Sequence, residues 1–441
     1  MNVSFISLGC DKNRVNTEQM MALCLQAGHT VQEDCSGSDV VVINTCGFID
    51  SAKSEAIDTI LAAAELKAAG EVGKILVTGC LSQRYQADIL EELPEIDGIM
   101  GTGCFGDIVT ALEQVVNGQE CRHFADINGP VEELPRVLST PRQYAYLRIA
   151  EGCSNRCAYC VIPSLRGKYR SRPMEGLLEE ARELADAGVK EVTLLGQIVN
   201  RYGRQMETAG GKGGFVQLLE AVHEVEGIRR IRFVSPHPIG FRQDLVQAFT
   251  YLPKLCSHIH FPMQSGSDRI LKMMRRPYRN ETYLDLCSRM KQARPDLSIT
   301  TDIIVGFPGE TEEDYLLTRQ AVEQVQFDNA FIFRYSPRRG TPAAVMENQI
   351  PEEVKEARNQ DLLAVVNEIA IRKNRDLVGT VQEVLLEGPS KTNAARLSGR
   401  TSQNKPVMVD AAPDLAGEIL PIRIEESTGF TLYGVPCPSR G

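Results

Sequence analysis

Two kinds of apolar run alternate along this chain. Val3–Ser7, Asp39-Val-Val-Val-Ile43 and Lys74-Ile-Leu-Val77 are short and β-branched, the form of strands buried on both faces. Longer stretches with helical spacing separate them. One holds Met20, Met21, Leu23, Cys24 and Leu25, and another is the Ala-rich segment Ser51–Ala69. Strands alternating with helices predict a parallel sheet. Residues 118–142 carry Gly, Pro and charges with weak periodicity and read as a linker. A second alternating series begins at Tyr144. Its strands are Ala145–Ala150, Glu191–Leu195, Arg230–Val234, His258–Phe261, Ile299–Val305 and Ala330–Arg334, with helices such as Gly176–Asp186 and Glu312–Val325 between them. Six such units predict an incomplete (β/α) barrel. A long helix, Glu352–Lys373, leads into short strands at Thr380–Leu386, Arg396–Gly399, Lys405–Val409, Gly417–Ile424 and Thr431–Tyr433. Short strands with Gly and Pro turns predict a small OB-like barrel. The expected organisation is an α/β chain: an open parallel-sheet domain over 1–117, a linker over 118–142, a partial (β/α)6 barrel over 143–375 and a small β-barrel over 376–441.

Composition narrows the setting. No run approaches the roughly 18 apolar residues of a membrane helix. The start, Asn2 to Cys10, lacks a basic segment and reads as a strand, not a signal peptide. The chain has 441 residues and 13 cysteines, and a disulfide framework belongs to short secreted chains. Cysteines here point to metal or redox chemistry in a reducing cytoplasm. A net charge of −10 argues against bulk electrostatic binding to nucleic acid, though not against a local basic site.

The run Glu151-Gly-Cys153-Ser-Asn-Arg-Cys157-Ala-Tyr-Cys160 carries the strongest chemical signal. Its spacing, C-x3-C-x2-C, offers three thiols with no fourth nearby. Structural zinc wants four closed ligands. A [4Fe–4S] cluster on three thiolates keeps one iron open. The alternatives are unrelated buried thiols or an incomplete zinc knuckle. Cys10, Cys46 and Cys80 each lie just past a strand of the first series, about three residues on. In an open parallel sheet the strand carboxyl ends share one edge, so these three predict a second thiol site. Other strand ends place Gln197, His237, Gln264 and Glu310 as cofactor or substrate contacts, each equally readable as a satisfied structural group. The basic run Arg166-Gly-Lys-Tyr-Arg170-Ser-Arg172 reads either as an anion site or as a solvated strand.

Two three-cysteine sites, a partial barrel and a β-barrel tail together resemble the radical S-adenosylmethionine (SAM) methylthiotransferases. That resemblance implies a SAM-binding [4Fe–4S] cluster on Cys153, Cys157 and Cys160, and an auxiliary [4Fe–4S] cluster on Cys10, Cys46 and Cys80. It also implies a TRAM domain at the C-terminus, methylthio transfer to an unactivated C–H bond, and an electron donor such as flavodoxin or ferredoxin. A cytoplasmic monomer is expected. Ser7-Leu-Gly-Cys-Asp-Lys-Asn13, Asn44-Thr-Cys-Gly-Phe-Ile-Asp50 and Cys160-Val-Ile-Pro-Ser-Leu-Arg-Gly167 resemble the ribosomal-protein-modifying type (RimO). Leu194-Leu-Gly-Gln-Ile-Val-Asn200, Phe261-Pro-Met-Gln-Ser-Gly-Ser-Asp268 and Gly399-Arg-Thr-Ser-Gln-Asn-Lys405 resemble the tRNA-modifying type (MiaB). The tail from 376 carries eight acids against six bases, which suits a basic protein partner better than RNA. Lys391, Arg396, Arg400 and Lys405 are the exception, a candidate RNA patch. The first expectation is an aspartate β-carbon of small-subunit ribosomal protein twelve. The alternative is carbon 2 of isopentenyladenosine beside the tRNA anticodon.

Overall fold

The computed structural model describes residues 1–204, 214–391 and 393–437. Its first sheet contains β1 (Asn2–Ser7), β2 (Thr30–Gln32), β3 (Ser38–Thr45), β4 (Val72–Gly79), β5 (Gly98–Met100) and β6 (Cys121–His123). All are parallel, in the order β2-β1-β3-β4-β5-β6. Alternation along β3 sends Val40 and Val42 to a face shared with Met20 and Leu112. Val41 and Ile43 go to the other, with Ile60 and Ala63. Helices cover both faces, so the strand shows no polar alternation. β6 lies inside the stretch read as linker, because three residues are too few to show a period.

The helix Asp11–Gln26 buries Lys12, Asn13, Asn16, Thr17, Glu18 and Gln19. Several of these polar side chains meet the linker or the second domain instead of water, while Thr17 bonds Ser7 and Asn44 within the first domain. Arg136 Nε donates to Glu18 Oε2 at 2.6 Å, and Arg148 Nη2 to Gln19 Oε1 at 3.1 Å. Buried polar groups need such partners.

The second domain holds β7 (Tyr144–Arg148), β8 (Ala150–Glu151), β9 (Arg170–Ser171), β10 (Glu191–Leu195), β11 (Arg230–Phe233), β12 (His258–His260), β13 (Ser298–Val305) and β14 (Asn329–Arg334). β7, β10 and β11 form one parallel sheet, and β12, β13 and β14 another. A parallel bridge between Ile231 and Leu255 joins them. The six strands thus follow chain order round an open barrel, as expected. β8 and β9 pair antiparallel and frame the cysteine loop.

The tail closes a barrel of β15 (Val381–Pro389), β16 (Leu397–Thr401), β17 (Pro406–Val409), β18 (Ile419–Thr428) and β19 (Thr431–Pro436) around Val384, Leu386, Val407, Ile422 and Leu432. It docks on the amino ends of the large barrel's strands. Arg230, which opens β11, donates to Glu383 O at 2.6 Å and Arg400 O at 3.0 Å. Ser257 N, just before β12, donates to Ser402 Oγ at 2.9 Å. Three of the four residues of the candidate RNA patch are engaged, while Lys391 is exposed. Lys405 is buried against Asp328 at 3.1 Å, Arg396 pairs with Asp410 at 2.7 Å, and Arg400 pairs with Glu387 at 3.2 Å. Among the described residues, no helix is long and apolar enough to cross a membrane.

Candidate active site

The C-x3-C-x2-C loop leaves β8 through Gly152, whose φ is +72°. A Cβ there would lie 2.2 Å from Lys168 O and 2.6 Å from Gly167 O, so only glycine lets the loop turn. Cys153 N donates to Gly167 O at 2.9 Å and Ala158 N to Met274 O at 3.0 Å, pinning the loop at both ends. Backbone N–H groups point at two sulfurs: Asn155 N at 3.4 Å from Cys153 Sγ, and Ile162 N at 3.5 Å from Cys160 Sγ. Arg276 Nη1 lies 3.7 Å from Cys157 Sγ. Burial raises the Cys153 thiol, and pushes Cys160 up to about 12.

All three thiols face one cavity of about 170 Å³. Gln197, His237 and Gln264 line it too, together with Asn155, Arg276 and Asp302. Burial holds the His237 imidazole far below its ordinary value, at about 2, so the ring is neutral. Its Nδ1 accepts from Ile239 N at 3.0 Å, which leaves the proton on Nε2. That Nε2 is buried without a protein partner. An orphan donor in a polar cavity is a ligand contact in waiting. Glu310 is placed elsewhere. Arg358 Nη1 donates to it at 2.8 Å and Gly306 N at 2.6 Å, so its oxygens serve the turn after β13.

The structure also brings Cys10, Cys46 and Cys80 together. Cys46 and Cys80 directly follow β3 and β4, closer than expected, and Cys10 caps the first helix. Gly79, with φ +97°, makes the turn into Cys80; a Cβ would meet Asn44 Oδ1 at 2.4 Å. Burial raises both Cys46 and Cys80, and each feels the charge of Cys10. Arg166 opposes that rise at Cys80. The two triads adjoin: Cys80 packs against Val161 and Leu165, which follow Cys160 in the chain. Among the described residues, no three His, Cys, Asp or Glu side chains are placed to hold one metal ion. Three thiols bordering a cavity suit a body larger than a single ion.

Two arginines of the basic run, Arg166 and Arg172, are neither solvated nor turned toward the thiol cavity, while Lys168 stays exposed. Arg166 is buried and donates to Asn16 Oδ1 at 2.9 Å, to Asn13 Oδ1, and to Glu151 Oε2 at 3.5 Å. Arg172 is buried against Glu133 and Glu180. Sequence reasoning missed Arg276, Asp302 and Arg338. Asp302 sits on β13 and Arg338 just past β14, so the strand-end rule could have reached them.

Comparison with known proteins gives the family. Residues 147–322 match the Radical SAM superfamily, residues 2–101 the Uncharacterized protein family UPF0004, and residues 375–436 the TRAM domain. A "tRNA-2-methylthio-N(6)-dimethylallyladenosine synthase" of Akkermansia muciniphila is 68% identical, covering 98% of each chain. The chain belongs to the radical SAM methylthiotransferases. A "Ribosomal protein uS12 methylthiotransferase RimO" of Pelobacter propionicus is 39% identical over 98% of this chain and 97% of its own. Among solved structures, the radical SAM methyltransferase TsrM of Kitasatospora setae shares the fold with a TM-score of 0.57 at 12% identity, covering 88% of this chain and 79% of that one. As a radical SAM enzyme, this methylthiotransferase uses a [4Fe–4S] cluster and SAM.

Proposed function

We propose that this methylthiotransferase acts on tRNA, at carbon 2 of an N6-dimethylallyl (isopentenyl) adenosine. The observation that carries the reading is the 68% identity, over 98% of both chains, to a relative named for that reaction. This prefers the alternative to the ribosomal-protein expectation. That expectation leaned on the cysteine contexts up to Gly167 and on the tail's acidity, but the tail sits at the amino ends of the barrel strands and uses much of its charge in ion pairs.

A second cavity, of about 120 Å³, supports a base as substrate. Phe48, Tyr159, Ile304, Phe333 and Tyr335 give it apolar walls, and Arg334 and Arg338 add cations. Aromatic rings and guanidinium planes stack on an unpaired base, and an apolar wall suits a prenyl group. Tyr335 Oη and Arg338 Nε are buried there without protein partners. Tyr159, Gln264 and Asp302 line this cavity and the thiol cavity alike, so a base in one adjoins the other.

Cys153, Cys157 and Cys160 would hold the SAM-binding cluster, and Cys10, Cys46 and Cys80 a second one. When bound, these groups supply the radical and the sulfur that an unactivated C–H bond requires. The chain's own side chains position and exclude water. Arg276 places positive charge at Cys157, and Arg166 does so at Cys80. His237 offers Nε2–H, and Gln197 and Gln264 add polar contacts, to whatever occupies the thiol cavity. Tyr159 packs edge-on against Phe307 at 6.4 Å between centroids, which anchors the cysteine loop's ring in the core.

The test offers isopentenylated tRNA and ribosomal protein twelve to one reconstituted preparation, with mass spectrometry of both. The tRNA should gain the methylthio group. Modification of the ribosomal protein alone would restore the first expectation.

A further inference from the structure

The largest cavity described, about 830 Å³, is not the thiol cavity. It lies beside the turn between the helices Asp268–Met273 and Asn280–Ala293. Its walls are Asp268, Arg269, Lys272, Arg275, Arg276, Pro277, Tyr278 and Arg279, which makes five cations against one acid. Arg269 is spent on Asp314. Lys272, Arg275 and Arg279 are exposed, and none makes an ion pair with a described residue. On a chain of net charge −10 such a concentration stands apart from its surroundings.

Arg276 belongs to both cavities. It is buried, faces the basic cleft, and carries Nη1 3.7 Å from Cys157 Sγ. One side chain therefore separates the cleft from a candidate cluster thiol. The cleft also lacks what base recognition needs. Its single aromatic residue, Tyr278, is buried and donates its hydroxyl to Met263 O at 2.7 Å. The rings suited to a base line the Phe48–Tyr335 cavity instead.

We propose that the cleft of Lys272, Arg275 and Arg279 docks an acidic, low-potential one-electron carrier protein, which delivers its electron past Arg276. Opposite charge across such a face steers encounter and fixes orientation. The carrier is oxidised by one electron and the iron–sulfur group on the Cys157 loop is reduced by one, with no bond made or broken. This rests on the radical SAM assignment and not on the tRNA reading, since any substrate of this enzyme needs the same electron.

The test uses the reconstituted full chain and an acidic flavodoxin as probe, comparing wild type with the triple variant Lys272→Glu, Arg275→Glu, Arg279→Glu. All three positions are exposed, so the fold should survive, and a matched circular-dichroism melt checks this. Calorimetry should show flavodoxin binding that weakens as salt rises and is at least tenfold weaker in the variant. SAM cleavage driven by reduced flavodoxin should slow by a similar factor, while cleavage driven by dithionite, which needs no docking, should not change. Equal flavodoxin affinity in the two proteins would overturn the proposal. So would loss of tRNA affinity with flavodoxin binding intact, which would make the cleft an RNA surface. Whether tRNA or ribosomal protein is modified leaves the flavodoxin result untouched.

Discussion

The Arg338 guanidinium lies 4.3 Å from the centroid of the Phe48 ring. Phe48 stands two residues past Cys46, in the first domain. Arg338 Nη1 donates to Tyr159 O at 2.9 Å, inside the C-x3-C-x2-C loop of the second. One side chain thus connects the loops that carry the two cysteine triads, at the mouth of the cavity proposed for the base.

Removing either partner should loosen that connection. A cation–π contact of this kind is worth about 0.5–2 kcal/mol. Phe48→Ala and Arg338→Ala should each lower stability by about 1–2 kcal/mol in urea titrations, Phe48 also losing packing. The double variant should lose less than the sum. Methylthio product should fall further than SAM cleavage, because only transfer needs both loops in register. Additive losses would show that the two residues do not act together.

The strand series, the six-strand barrel order and the grouping of each triad were legible in the sequence, because βα periodicity and strand-end placement are local patterns. Contacts between domains were not. Nothing in the sequence marked Asn13, Asn16 and Glu18 for burial, yet they lie against Arg166 and Arg136. Arg166 read as an anion site or solvated residue, and its partners Asn13 and Asn16 lie about 150 positions away. Glu310 read as a site residue because it follows a strand, but no spacing rule could announce Arg358. Gly399–Lys405 resembled a tRNA-enzyme segment, and it forms part of the joint between the two barrels.

Iron content tests the division between the triads. Anaerobically reconstituted protein should hold about eight irons, four for each [4Fe–4S] cluster. The triple variant Cys153→Ala, Cys157→Ala, Cys160→Ala should keep about four and cleave no SAM. Cys10→Ala should still cleave SAM and form no methylthio product. A full iron complement in the triple variant would remove those residues from the ligand set.

Asp314 predicts an acid limb of stability. Burial alone would raise its carboxyl. Hydrogen bonds from Arg269, Ser267 and Thr311 outweigh that and hold it well below its ordinary 3.8. A depressed folded pKa adds stability that is complete above the unfolded value and is lost as pH falls through the folded one. Melting temperature should therefore fall as pH drops below about 4, where the unfolded carboxyl takes up a proton that the folded one still refuses. Asp314→Asn, which also breaks the capping box at Thr311, should melt lower at pH 7 and lose less on acidification. Parallel curves for the two proteins would show that this carboxylate does not drive the acid limb.

Arg166 is a buried polar link between the triads. Its guanidinium meets Asn13, Asn16 and Glu151, and its charge restrains the Cys80 thiol. Glu151 is also held by Arg148 at 3.2 Å and by Gly152 N at 3.2 Å. Arg166→Leu would leave the two Asn oxygens without this donor and remove one of the two cations beside Glu151. Breaking a buried charge pair from one side costs about 3–5 kcal/mol. The urea midpoint should fall accordingly. Iron should be lost first from the Cys10, Cys46 and Cys80 site. Arg166→Lys keeps the charge but not the planar fork, so it should recover only part of the stability. SAM affinity should hold in the lysine variant, because Arg166 faces the first domain and not the cavity of Cys153, Cys157 and Cys160. A tenfold loss of SAM affinity with an unchanged urea midpoint would instead make Arg166 a cofactor ligand.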